Sequence, residues 1–243
     1  MKNTLSPQLI HFANRVSRIP FAKAILKPFY YPYKHYVESK RRNLFHKNGL
    51  RLLEDLRLCF KELGLQYSLA FGTMLGAVRD KGFIPHDCDI DIFIWIEDYS
   101  ASIKTVMERN GFRLEHFFLV DGGRLGREET YSKYDVSVDF FYVYPPITEY
   151  PYTCDFIPYK DEASWYHSQK KYGRILARRI EIPITKETVL LPFETIELPV
   201  SRNYDEFLRF RYGNDYLIPN PLWSNGENPH IIVWSDMVAT FNE

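Results

Sequence analysis

The chain has 243 residues, 45% of them apolar and 26% charged, the balance of a soluble globular protein with one full core and room for an appendage. No run of about 18 apolar residues occurs, which excludes a transmembrane helix. Three scattered cysteines, Cys59, Cys88 and Cys154, exclude a disulfide framework and suit a reducing compartment. Net charge is zero, yet residues 1–50 hold ten Lys and Arg against one acid, Glu38. A basic, aromatic leading segment on an acidic body points to an anionic surface as partner.

The first segment, 7–35, mixes Lys and Arg with Phe and Tyr and contains Pro20, Pro28 and Pro32, so short helical pieces are expected rather than one helix. Such a basic aromatic arm suits either an anionic membrane face or packing on the body or a second subunit. It lacks the apolar core and cleavage site of a signal peptide, so the cytoplasm is expected, with peripheral contact at the inner membrane face through residues 1–35. Over 36–63 the residues Leu44, Phe45, Leu52, Leu53, Leu56, Phe60 and Leu63 recur at helical spacing, and Gly64 reads as the stop. Domain 36–243 is the expected body.

Tyr67–Phe71 reads as a strand, Gly72-Thr73 as a turn, and Met74 to about Arg79 as a short helix that Thr73 would cap. Next comes Ile84-Pro85-His86-Asp87-Cys88-Asp89-Ile90-Asp91-Ile92-Phe93-Ile94, where acids alternate with apolar residues in a strand pattern. Asp89 and Asp91 then share a face, with Asp87 near and Cys88 expected on the opposite, packed side. Crowded carboxylates are costly unless a cation or shared protons compensate, and the plain alternative is a surface strand whose acids face water. Hard oxygen ligands suit Mg²⁺ (or Mn²⁺), which takes one or two carboxylates plus phosphate oxygens. An EF-hand loop is excluded, because Ile92 and Asp98 stand where Gly and Glu are required.

Further on, 100–110 reads as a helix, Phe112–Val120 as a strand, Asp121-Gly122-Gly123 as a turn, and 124–134 with 136–144 as a further strand pair. Asp139 is a lone acid amid Val and Phe, which is costly if idle. It is the expected third carboxylate, and Gly72-Thr73 at a helix start is the expected phosphate turn. Residues 145–200 are Pro-rich and read as irregular with short β-prone pieces. Lys170, Lys171, Arg174, Arg178 and Arg179 form a basic cluster, either a solvated face or an anion contact. Asn203 would cap a helix over Tyr204–Tyr212 that stops at Gly213.

The segment from Phe71-Gly72-Thr73-Met74-Leu75-Gly76-Ala77-Val78-Arg79 through Lys81-Gly82-Phe83-Ile84-Pro85-His86-Asp87-Cys88-Asp89-Ile90-Asp91 resembles the signature of the LicD family, which includes phosphocholine transferases and is related to fukutin-type phosphoribitol transferases. Asn203-Tyr204-Asp205-Glu206-Phe207-Leu208 and Tyr212-Gly213-Asn214-Asp215-Tyr216 extend the likeness, so it covers roughly 45–220. Two departures stand out: His86 replaces the usual Trp, and Cys88 the middle acid. The resemblance implies an α+β, nucleotidyltransferase-like mixed sheet flanked by helices, behind a basic helical arm. It implies a phosphotransferase that moves phosphocholine or a similar phospho-alcohol from a CDP-linked donor to a sugar hydroxyl of a cell-surface glycan or glycolipid. Lipopolysaccharide, capsule or teichoic acid would be the setting, with no nucleic-acid partner. Asp89, Asp91 and Asp139 would be metal ligands. Gly72, Thr73, Arg79 and Lys81 would contact phosphate, and His86 would line the pocket or stand in a solvated loop. Asp139 or Asp87 would take the acceptor's proton. The alternatives are a nucleotidyltransferase that moves the nucleotide itself, a D-x-D glycosyltransferase, and a silent glycan-binding scaffold.

Overall fold

The computed structural model describes residues 20–162, 164–220 and 230–243, with backbone alone at 20–34 and 161. The chain divides into two compact units, 1–43 and 44–243. The arm expected at 1–35 therefore lies outside the described residues as far as residue 19. From Pro20 the backbone is one helix, α1 (Pro20–Leu63), running through Pro28 and Pro32, where breaks were expected. Each proline removes one donor from the helical ladder, and the helix continues past both. No helix among the described residues is long and apolar enough to cross a membrane.

The body is built on strands β1 (Ser68–Leu69), β2 (Asp89–Trp95), β3 (Arg113–Val120), β4 (Gly126–Lys133), β5 (Val136–Val143), β6 (Tyr152–Ile157), β7 (Ile175–Glu181) and β10 (Ile231–Asn242), in the spatial order β1-β2-β5-β4-β3-β10-β7-β6. β2 and β5 run parallel, and the other neighbours run antiparallel. A separate hairpin pairs β8 (Thr188–Phe193) with β9 (Ile196–Ser201). Among the described residues the body also contains four α-helices: α2 (Phe71–Arg79), α3 (Ser102–Arg109), α4 (Trp165–Tyr172) and α5 (Tyr204–Tyr212). This is the mixed α+β sheet with flanking helices that the family likeness implies.

The two faces of the sheet differ sharply. On one, Ile90, Ile92 and Ile94 of β2 and Val138, Phe140 and Tyr142 of β5 are buried. Phe60 of α1 meets Phe140 at 5.5 Å between ring centroids. Each such side chain stabilises the fold by about 1.5–3 kcal/mol through its removal from water. Arg127 and Glu129 pair at 2.6 Å on this face, and the Tyr131 and Tyr142 hydroxyls both donate to Glu129. On the other face Asp89 and Asp91 are only partly buried.

Asp55 of α1 fixes the two-residue turn between β4 and β5. It accepts from Lys133 at 2.6 Å and from Tyr134 at 2.8 Å, while Asn48 donates to the Tyr134 carbonyl. Tyr134 and Asp135 both have positive φ, the backbone that a tight hairpin turn requires.

Three further expectations change. Residues 145–200, expected to be irregular, contain β6 to β9 and α4. Pro151, Pro158 and Pro183 stand outside the strands, while Pro192 and Pro199 stand in the two-stranded hairpin, where a missing ladder donor is tolerated at an edge. Asn203 precedes α5 but makes no side-chain cap. Its amide instead donates to the Pro183 carbonyl, and its oxygen accepts from the Thr185 amide and the Ser201 hydroxyl, tying loop to strand. Cys88 is not on β2 at all. It stands one residue before the strand, half-buried, its thiol 3.9 Å from the Asp89 carboxylate.

Candidate active site

The site begins where β1 turns into α2. Phe71 opens the helix with φ of 36°, a backbone value that costs a non-glycine residue energy and marks a fixed, strained start. Its ring packs on Phe93 and Phe141 at 5.0 and 4.9 Å, and the Arg211 guanidinium lies 5.3 Å from it. Gly72 follows, its Cα facing the acids: a Cβ there would stand in ordinary van der Waals contact with the carboxylates of Asp87 and Asp91, at 3.5 and 3.8 Å. The Gly72 amide donates to the Asp91 carboxylate.

Thr73 was expected to cap a helix from Met74. It lies inside the first turn of α2, and its hydroxyl accepts from the Asp91 amide at 2.9 Å. The Asp91 carbonyl accepts from Ala70 at 2.9 Å. Asp91 is thus held through its backbone from both sides of the strand-to-helix turn, a role that local helix chemistry alone would not assign to Thr73.

Strand register then aligns a row of polar side chains across four neighbouring strands. Asp91 of β2 stands opposite Asp139 of β5, Asp139 opposite Thr130 of β4, and Thr130 opposite His116 of β3. The Thr130 hydroxyl donates to Asp139 Oδ1 at 2.6 Å, and His116 Nε2 lies 3.2 Å from the same hydroxyl oxygen. Since Thr130 gives its only proton to Asp139, its oxygen accepts from the His116 Nε2–H. Burial pushes the His116 ring's pKa down and favours the neutral form. The neighbouring row reads Phe93, Phe141, Glu128, Phe118.

Negative charge dominates the electrostatics. Burial first, and then the charges of Asp89, Asp139 and Asp87, hold the Asp91 carboxyl well above the usual range. Burial and the Asp89 charge push Asp87 up to about 7, against the opposing pull of Arg79. Burial first, with Asp139, Asp155 and Asp91 behind it, raises Glu128 well above the usual range. Among the described residues no three His, Cys, Asp or Glu side chains converge tightly enough to form a metal cage by themselves.

The structure therefore brings together Asp87, Asp89, Asp91, Asp139, Gly72 and Thr73. The remaining expected residues sit differently. Arg79 engages Asp80 with both arms of its guanidinium, at 2.9 and 2.7 Å, within electrostatic reach of Asp87. Lys81 is exposed, with φ of 55°, and its carbonyl accepts from the Glu194 amide at the tip of the β8–β9 hairpin. His86 is 75% exposed, its Nε2 3.9 Å from Asp87. The basic cluster does not form one surface. Arg178 binds Asp155 with two contacts, Arg179 is buried beside Glu181, Lys171 pairs with Glu162, and Arg174 donates to the Ser235 and Met237 carbonyls.

Sequence reasoning missed Glu128, Thr130, His116, Arg211 and Tyr212. β4 reads Gly-Arg-Glu-Glu-Thr-Tyr-Ser-Lys, with no apolar alternation to reveal which residues face the acids. The signal was the adjacent pair Glu128-Glu129, whose members must point to opposite faces of a strand. Tyr212 and Arg211 end α5, and Tyr212 lies within electrostatic reach of Asp91 and Asp87.

Comparison with known proteins shows the family. The family described as LicD/FKTN/FKRP, nucleotidyltransferase domain, matches residues 64–203, more than half of the chain. Ribitol-5-phosphate transferase FKTN of Mus musculus is 34% identical over 103 residues, covering 42% of this chain and 22% of that protein. Lipopolysaccharide cholinephosphotransferase LicD of Haemophilus influenzae is 40% identical over 54 residues, covering 22% and 20%. Ribitol 5-phosphate transferase FKRP of Homo sapiens is 27% identical over 171 residues, covering 67% and 30%. The chain spans less than a third of the length of each of these relatives. The strained Phe71-Gly72-Thr73 turn, the Asp89/Asp91 pair and Asp139 all fall within the matched segment, and the chain belongs to the LicD/FKTN/FKRP nucleotidyltransferase-domain family.

Proposed function

We propose that the protein transfers a phospho-substituent, such as phosphocholine or phosphoribitol, from a CDP-linked donor to a sugar hydroxyl of a glycan or glycolipid. The observation that carries this reading is the placement of the Gly72 amide, Asp91 and Asp139 together at one strand-to-helix turn. The names of the FKTN and LicD relatives supply the class of group transferred.

The donor set fits a hard divalent cation. Asp91 is held above its ordinary pKa chiefly by burial and by acidic neighbours, so a cation at this point relieves repulsion already built into the fold. Asp89, Asp91 and Asp139 would hold Mg²⁺ or Mn²⁺, which when bound neutralises phosphate oxygens and stabilises the departing CMP. With no closed cage of protein ligands among the described residues, donor phosphates and water would complete the shell.

The chain's own residues do the rest. The start of α2 presents backbone N–H groups and its positive dipole end to phosphate. The Gly72 amide binds the Asp91 carboxylate, and Thr73 fixes the Asp91 backbone. Thr130 orients Asp139. Arg79, held beside Asp87 by Asp80, supplies positive charge on the turn side of the site. Positioning and electrostatics of this kind suffice for phosphoryl transfer, which needs little covalent help from protein. We further infer that the basic arm, 1–35, meets an anionic membrane face from the cytoplasmic side.

A thermal-shift panel of CDP-ribitol, CDP-choline and CDP-glycerol with Mg²⁺ tests the reading. A donor that binds the native state raises its melting temperature. At least one CDP-alcohol is expected to do so in the presence of Mg²⁺ and to do so less in EDTA. A panel in which none shifts the melting temperature contradicts the proposal.

A further inference from the structure

Glu128 is the acid for which the mechanism above has no use. It stands on β4 in a row with Phe93 and Phe141 on one side and Phe118 on the other. Two residues further along the same face of β4 is Thr130, which holds Asp139. Among the described residues Glu128 makes no hydrogen bond or ion pair, and it is half-buried. A carboxylate between phenylalanines with nothing to bind is unfavourable for the fold. Such a group in a polar site is a candidate for acid–base work.

Its position selects the work. In a sheet, diagonal neighbours on adjacent strands lie about 7–8 Å apart, within reach of long side chains. Glu128 is the diagonal neighbour of Asp139 on the side away from β2. The donor-phosphate end of the site, with Gly72, Asp87 and Arg79, lies on the β2 side. In an in-line displacement the attacking and leaving oxygens occupy opposite sides of phosphorus. The acceptor hydroxyl therefore comes from the side where Glu128 stands. Asp139 is a poorer base, since the hydrogen bond it accepts from Thr130 favours its ionised form and its place beside Asp91 commits it to the cation. Asp87 sits against the Gly72 turn, on the leaving-group side.

We propose that Glu128 is the general base of the transfer, placed to bind the acceptor hydroxyl and take its proton. This rests on the function proposed above. In the step, the acceptor oxygen forms a bond to the donor phosphorus that carries the alcohol. The bond from that phosphorus to the bridging oxygen breaks, and CMP leaves with the electron pair. The hydroxyl proton passes to the Glu128 carboxylate. The acceptor class is a neutral polyol or sugar hydroxyl, whose carbon skeleton the half-buried Phe141 suits.

The test uses the full chain with CDP-ribitol and CDP-choline as probe donors, Mg²⁺, and a panel of free sugars and polyols as acceptors, with CMP release as the readout. Glu128→Ala is expected to slow acceptor-dependent CMP release by about 100-fold or more. The thermal shift produced by donor and Mg²⁺ should stay as in the unaltered chain. Added formate, a small carboxylate able to enter the vacated space, should restore part of the rate to Glu128→Ala and none to Glu128→Gln. A merely structural glutamate would show no formate rescue. Release within about threefold of the unaltered chain in both variants, or a loss of donor binding that matches the loss of rate, overturns the role of Glu128 and leaves the function standing. An unaltered chain that releases no CMP from either donor overturns the function, and this inference with it.

Discussion

Thr130→Val keeps the shape of the side chain and removes its hydroxyl. The hydroxyl donates to Asp139 at 2.6 Å and accepts from His116 at 3.2 Å, so both partners lose a contact at once. A hydrogen bond to a charged group contributes about 1.5–3 kcal/mol. Loss of a partner that orients a metal ligand typically weakens metal affinity by about 10–100-fold, equivalent to about 1.4–2.7 kcal/mol. The two estimates agree, so nearly the whole effect should appear in binding if Asp139 is a ligand. The assay is calorimetric titration with Mn²⁺, alongside a melting curve in EDTA. Thr130→Val should weaken Mn²⁺ by at least about tenfold, whereas Thr130→Ser, which keeps the donor, should stay near the unaltered chain. Equal Mn²⁺ affinity in Thr130→Val and the unaltered chain would refute the reasoning, as would equal damage from Val and Ser.

Asp87→Asn should stabilise the metal-free protein at pH 8. The folded pKa of Asp87 is raised to about 7, so stability is lost as pH rises from the ordinary carboxylate value toward 7. The melting-temperature gap between variant and unaltered chain in EDTA should widen from pH 4 to pH 7 and then level off; a gap of opposite sign counts against the electrostatic account. Gly76→Ala would put a Cβ well inside contact distance of the Gly82 carbonyl oxygen, where overpacking of about 1–3 kcal/mol outweighs the roughly 0.5–1 kcal/mol helix gain of Ala over Gly. Its melting temperature should fall, and turnover should fall with it, because the loop from Gly82 leads directly to Asp87. Deletion of residues 1–35 should weaken binding to anionic liposomes more than turnover on a soluble acceptor, as measured by liposome sedimentation.

The acid strand was legible because alternation is a local property. Ile90, Ile92 and Ile94 had to face the core, so Asp89 and Asp91 had to face away from it. Asp139 was legible for the same reason, as one acid in an apolar strand. Glu128, Thr130 and His116 were not, since their membership of the site depends on which residue of β4 meets which residue of β3 and β5. The Asp155–Arg178 pair depends likewise on the pairing of β6 with β7. Register is set by turns and by packing on distant elements. Here the Tyr134-Asp135 turn, fastened to Asp55 on α1, sets it. Thr73 was misread because a threonine near a helix start resembles a cap locally, whereas its partner, the Asp91 amide, comes from another strand. In 145–200 the prolines obscured strands that tertiary pairing supports.

The central claim is that Asp91 anchors a site that releases CMP from a CDP-linked donor. The most direct measurement is product analysis after incubation of the unaltered chain and Asp91→Ala with a CDP-alcohol, saturating Mg²⁺ and a glycan acceptor. The account predicts CMP as the product of the unaltered chain and no turnover by a folded Asp91→Ala. Full turnover by Asp91→Ala, or pyrophosphate as the product when a nucleoside triphosphate replaces the CDP-alcohol, would contradict it.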